Sequence, residues 1–319
     1  MPFQKELASD ELSQVPNMPL VLNSLCRLIK MQVQVQEDED LDQEEIDLLL
    51  QIEQAQCEIC NTISVIAQEG ISAIREQEAS IEDKMLYGTS SSPMKRLYEK
   101  GTRNLIAISK SEVPETLVSI LALGIRSNDM IIAAIEAIGH TSLYVKVAER
   151  YGYMGVIKDL VKMFTQSDDF RSYQVSIAMD AIWNLVEVVG QKAIAPMAQD
   201  LQLVMGLKRP FENVVKKGYK LDDKCLRNEL AILINYLVME KDSHPILFEK
   251  VNLDNEDDGK SLFDAVMHYA TVDEFYAIEQ GDYIQPGHEK YVFTTSDEDI
   301  ELKKLLWTSV LYASRDADC

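Results

Sequence analysis

The sequence predicts an all-α chain: a solenoid of repeated helices behind an irregular helical segment at the amino end. Three observations predict it. Gly (13) and Pro (9) make up about 7% of the 319 residues, well under the roughly 12% of average usage, so turns are sparse. Apolar residues recur at helical rather than alternating spacing. Similar helices also return along the chain at offsets of 43 to 52 residues.

Those offsets fall in or just above the range of armadillo and HEAT repeats, so the expected fold is an armadillo/HEAT-like α-solenoid. Residues 131–139, IIAAIEAIG, align with 178–186, AMDAIWNLV: Ala134 matches Ala181, Ile135 matches Ile182, and Ile138 matches Leu185, each 47 residues on. A preceding helix is repeated too. VPETLVSIL from Val113 aligns with VIKDLVKMF from Val156, 43 residues on, pairing Leu117 with Leu160 and Leu121 with Phe164. A looser third copy is expected in RPFENVVKKG from Arg209 and NELAILINYLV from Asn228. Each unit has the armadillo order. A short helix ends in Gly (146–152), a middle helix follows (154–164), then a polar loop, then a long third helix.

The amino end is organised differently. Residues 18–35 read as a helix, the acidic run EDEDLDQEE spans 37–45, and a long helix runs from about Glu44 to Gln68. Its apolar set is Ile46, Leu49, Leu50, Ile52, Ile59, Ile63 and Ile66, and the helical pattern resumes after Gly70. GTSSSP (88–93) is the expected linker, dividing a helical segment with its acidic run (1–90) from armadillo-like repeats (94–319). At the carboxyl end, SDEDIELKKLLWTSVLYAS (296–314) opens with a Ser/Asp-rich cap and an acidic first turn, then shows one apolar face. With no capping repeat after it, the chain is expected to continue as a longer solenoid.

Composition narrows the function. A net charge of −22 repels nucleic acid and anionic membrane, so neither is an expected partner. No apolar run approaches the ~18 residues of a membrane span. The amino terminus has no basic-then-apolar signal pattern, and five scattered Cys suit a reducing compartment. Catalytic and cofactor motifs are absent: no phosphate loop, nucleophile elbow or HExxH occurs. CEIC (Cys57 to Cys60) is a lone pair inside a helix, with no His nearby, and reads as two packed thiols rather than a metal site. Lys208, Arg209, Lys216 and Lys217 form a small basic patch.

The candidate interaction residues lie on third helices and in acidic insertions. In 178–194, Ile182, Leu185, Val186 and Val189 make the apolar stripe, and Asn184 lies off it. Asn184 either faces the solenoid groove, where it hydrogen-bonds a bound segment, or satisfies the adjacent repeat. Trp183 is expected to lock its repeat against the next. Asn235 occupies a third helix of the later copy. Asp254, Glu256 and Asp257 belong to the acidic insertion 251–261, a candidate docking loop for a basic partner, as is the insertion at 278–299.

DAIWNLVE (180–187), KKGYKLDDKCLRNELAIL (216–233) and DEDIELKKLLW (297–307), in this order, resemble the amino-terminal armadillo region of the cilia- and flagella-associated protein 69 family. The resemblance covers roughly 145–319. It implies a non-enzymatic structural component of the axoneme in motile cilia and flagella, in a projection of the central apparatus. It also implies neighbouring projection proteins as partners, such as a sperm flagellar protein 2-like scaffold. Tubulin surfaces are themselves acidic, so contact with microtubules is expected to be indirect. The alternative is a soluble armadillo adaptor for basic peptides. That class repeats Trp and Asn four positions apart, whereas Trp183 directly precedes Asn184 here.

Overall fold

The computed structural model describes residues 18–30, 43–87, 92–122, 127–166, 172–211, 224–240, 261–270, 304–306 and 308. Every described element is a helix, and the fold is an all-α armadillo-like solenoid. The chain divides into two compact units, one of residues 1–160 with 180–193, the other of 161–179 with 194–319.

In the first unit, α1 (Met18–Lys30) buries Met18, Leu22, Cys26 and Ile29, one stripe at helical spacing. The flank of that stripe ties into the chain ahead of α4 (Val113–Ala122). Asn23 Oδ1 accepts from the Glu112 amide at 2.8 Å, and Lys30 Nζ lies 3.0 Å from the Glu112 carboxylate. The helix α2 (Gln43–Tyr87) is 45 residues long, about 67 Å at 1.5 Å per residue. It runs without a break through Gly70. Gln56, Cys60, Ile63, Ile66 and Ala67 are buried, whereas Ile46 and Leu50, grouped with them by sequence period, are exposed.

Gly70 is where α2 crosses α3 (Ser92–Lys110). A Cβ on Gly101 would stand 3.0 Å from the Cα and carbonyl oxygen of Gly70, and one on Gly70 would stand 2.8 Å from Leu105 Cγ. Neither position has room for a side chain. The expected linker at 88–93 contributes its last two residues to a helix: Ser92 and Pro93 open α3, where proline's missing N–H costs nothing. Both sides of it belong to one compact unit, and α2 packs along α3 and also along α5 (Asn128–Ser142).

Two glycines end helices in the left-handed conformation. The helix α6 (Val145–Met154) runs past Gly152, the stop expected from sequence, and ends at Gly155 with φ 71°. Gly190, φ 58°, follows α8 (Tyr173–Val189). Tyr151 of α6 is fully buried, with its hydroxyl 2.8 Å from Thr141 Oγ1. Arg150 clamps the same region. Its guanidinium donates to the carbonyls of Ser109 (2.6 Å) and Ser111 (3.1 Å) and pairs with Glu115 in the first turn of α4. One cation thereby satisfies the carboxyl end of α3 and holds α6 against α4.

The repeat is legible in the burial pattern. Val113, Pro114, Leu117 and Leu121 of α4 are buried; Val156, Ile157, Leu160, Val161 and Phe164 of α7 (Val156–Gln166) are buried 43 residues on. The same positions recur 47 residues later as Leu203, Val204, Leu207, Lys208 and Phe211. The third middle helix therefore starts earlier than Arg209. It comprises α10 (Leu201–Gly206), capped by Asp200, whose Oδ1 accepts from the Leu203 amide, and α11 (Lys208–Pro210). Lys208 takes the place of Val161 and is 5% exposed, so it is no part of a basic surface patch. Before this pair comes α9 (Gln191–Ala198), and after it α12 (Lys224–Met239), whose Leu233, Ile234 and Leu237 are buried. The last full described helix, α13 (Leu262–Ala270), opens with a reciprocal cap in which Ser261 Oγ accepts from the Asp264 amide and Asp264 Oδ2 accepts from the Ser261 amide. Among the described residues no helix is long and apolar enough to cross a membrane.

Candidate interaction face

In the first unit α2, α5 and the part of α8 from Asp180 onward lie side by side, and polar contacts mark their register. From α2 to α5 the pairs rise together, so the helices run parallel. Glu53 accepts from the Ser127 amide at 3.0 Å, Cys57 Sγ lies 3.7 Å from Met130 Sδ, and Ser64 Oγ lies 2.6 Å from His140 Nδ1. Between α5 and α8 the contact lies at Gly139 and Ala181. A Cβ on Gly139 would sit 3.4 Å from the Ala181 Cβ, and Asn184 Nδ2 donates to the Gly139 carbonyl at 3.2 Å. A Cβ at 139 would be in ordinary van der Waals contact there, and Asn184, one turn beyond Ala181, reaches back to the Gly139 carbonyl.

The face left open by this packing is acidic. Glu53 and Glu58 on α2, Asp129 and Glu136 on α5, and Asp180 and Glu187 on α8 all lie at least partly in solvent. Residues 53–68, α5 and α8 contain no Lys or Arg to offset them. Along residues 53–68, α5 and α8 the one titratable base is His140, half-buried between Ser64, Glu136 and Asp180. Burial pushes its pKa below the ordinary value, with Glu136 and Asp180 pulling the other way. Burial likewise pushes the Cys57 thiol up, and Glu53, Asp129 and Glu58 add to the rise. Cys57 is therefore a neutral packing group beside Met130, and Cys60 is buried behind it.

The residues named from sequence separate into three groups. Trp183 and Asn184 border the acidic face on α8, both half-buried, with Asn184 bonded within the stack as described above. Trp183 is thus only partly covered. Asn235 is half-buried on α12, in the other compact unit. Asp254, Glu256 and Asp257 lie outside the described residues, as do the insertion at 278–299 and Lys216 and Lys217. His140 escaped the sequence reading. Its signal was the Gly139–His140 pair at the end of an apolar helix, in a chain with four His in all.

Comparison with known proteins agrees with this architecture. The family model "Cilia- and flagella-associated protein 69, ARM repeat" matches residues 50–319. The match begins far ahead of residue 145 and takes in most of α2, together with all of α3, α4 and α5. Cilia- and flagella-associated protein 69 of Callithrix jacchus is 25% identical over 150 residues, 46% of this chain and 13% of that relative. The chain therefore spans a small part of the relative's length.

Two outcomes follow for this face. Asn184→Ala removes the bond to Gly139 and lowers the free energy of unfolding by about 1 kcal/mol in urea titration; an unchanged midpoint would contradict the bond. His140 supplies a pH dependence. Its folded pKa is lowered, so as pH falls below the ordinary histidine value near 6.5 the unfolded chain binds a proton that the folded chain resists. The associated stability is present above that pH and is lost below it. Between pH 7.5 and 5.5 the wild-type melting temperature changes less favourably than that of His140→Gln; parallel curves for the two proteins would rule the contribution out.

Proposed function

The chain belongs to the armadillo-repeat family of cilia- and flagella-associated protein 69, and on that premise we propose that it is a non-enzymatic scaffold of motile cilia and flagella, built into a projection of the axonemal central apparatus. The observation that carries this reading is the extent of the family match, from residue 50 through every later described helix. The open face of α2, α5 and α8 supports it. The chemistry on it is recognition chemistry, carboxylates bordered by Trp183 and Asn184.

The partners this face fits are neighbouring projection proteins that present Lys- or Arg-bearing segments, such as a sperm flagellar protein 2-like scaffold. Direct seating on the microtubule lattice is disfavoured, since tubulin is acidic and the chain carries −22. Nucleic acid and anionic membrane are disfavoured on the same ground. A second reading, a soluble adaptor for basic peptides, draws on the same acidic face; attachment to a fixed structure separates the two.

The test is tagged protein in a ciliated cell, imaged after detergent has removed the membrane and soluble matrix. The scaffold reading predicts retention along the central microtubule pair. Release of the tag into the detergent-soluble or nuclear fraction would refute it and leave the adaptor.

A further inference from the structure

The amino end of α2 carries apolar side chains that its own unit leaves in solvent. From Gln56 onward the helix buries the face containing Gln56, Cys60, Ile63 and Ala67, packed along α3 and α5. At 3.6 residues per turn that face continues toward the amino end through the half-buried Leu49 and Ile52; Ile46 and Leu50 extend the side that meets α5 at Glu53, Cys57 and Ser64, and Leu48 lies on the other edge. The neighbouring helices do not follow it. The amino end of α5 is fixed at Glu53 by the bond to Ser127, α3, antiparallel to α2, ends at Lys110, and α1 meets α2 at Gln56, whose Nε2 donates to the Leu28 carbonyl. In the turns before Glu53, Ile46, Leu48 and Leu50 are 38%, 57% and 59% exposed. Single exposed aliphatics are ordinary, but Ile46 and Leu50, one turn apart on the side of α2 that α5 covers further on, form an exposed apolar pair that marks a contact surface.

Charge identifies the occupant. Glu44 and Asp47 are exposed on the same turns, Glu53 follows, and the sequence immediately before, EDEDLDQEE (37–45), is acidic. A second copy of this chain would bring another −22 to the contact, and an anionic membrane would be repelled as well. A helix with a Leu/Ile/Val stripe flanked by Lys and Arg complements both the apolar ridge and its carboxylate border. We propose that the amino end of α2, residues 44–53, is a docking surface for a basic amphipathic helix of a partner protein. The surface adjoins the carboxylate face of α2, α5 and α8 at Glu53 and does not rest on the assignment to the central apparatus.

The experiment uses the full chain and a fluorescein-labelled synthetic Leu/Lys helix with leucines at helical spacing, against a scrambled peptide of the same composition, at physiological salt. The amphipathic peptide is expected to bind and to slow amide exchange over 44–53. Ile46→Gln/Leu50→Gln, which keeps the charge and alters only exposed positions on one side of the helix, is expected to weaken binding at least about tenfold. The scrambled peptide is expected to bind weakly and equally to both proteins. Equal binding of the amphipathic peptide to wild type and double variant would overturn the proposal, as would slowed exchange elsewhere but not at 44–53. A wild-type oligomer that the double variant abolishes would make a second copy the occupant. Binding that appears only after deletion of residues 1–17 would make the chain's own amino segment the occupant, and either result would also overturn it.

Discussion

The rest of the first unit depends on the contact between Gly70 and Gly101. There the backbones of α2 and α3 approach within the distance that one Cβ would occupy. A helix interior normally disfavours glycine by about 1 kcal/mol against alanine. Both helices accept that cost at the one place where a side chain would force them apart. With α2 seated on α3, its next face meets α5, and α5 in turn meets α8 at another small pair, Gly139 and Ala181.

Apolar stripes alone would leave those helices free to slide by a turn, since one row of aliphatics resembles the next. The polar contacts remove that freedom. Glu53 reaches the Ser127 amide, Ser64 meets His140, Gln56 Nε2 donates to the Leu28 carbonyl at 2.9 Å, and Asn184 meets the Gly139 carbonyl. Each such bond contributes about 1 kcal/mol net, far less than the buried aliphatics around it. Their weight lies in the asymmetry of loss: a slipped register would strand Gln56, 2% exposed, and Ser64, 6% exposed, without partners. Arg150 acts in the same way for α3, α4 and α6, closing helix-end carbonyls that no other intrahelical donor reaches.

Much of this was readable from the chain. Val113 and Val156 do open corresponding helices, and Ala134, Ala181, Ile138 and Leu185 are buried as their alignment requires, because a repeated core needs a repeated stripe. Other features were hidden for identifiable reasons. Gly70 reads locally as an interruption, while its meaning lies in Gly101, far along the sequence. Gly152 and Gly155 are both able to end a helix, and only the path into α7 selects the second. Lys208 looks like surface because it is charged, yet it sits in the buried register of Val161. Asn184 has two possible meanings in sequence, a groove donor or a brace between repeats, and its bond to Gly139 supplies the brace. The exposed end of α2 was concealed by its own periodicity, since an apolar stripe does not say where its partner helices stop.

The most direct test of the account is Gly101→Val, followed by urea unfolding. Close backbone packing predicts a loss of about 1–3 kcal/mol, because the added carbons meet the Gly70 backbone, which has no side chain to move aside. Helix propensity alone predicts the opposite sign, since valine is the better helix former of the two. A variant as stable as wild type, or more stable, would show that α2 and α3 are not held at backbone distance and would remove the constraint on which the stack of α2, α5 and α8 is built.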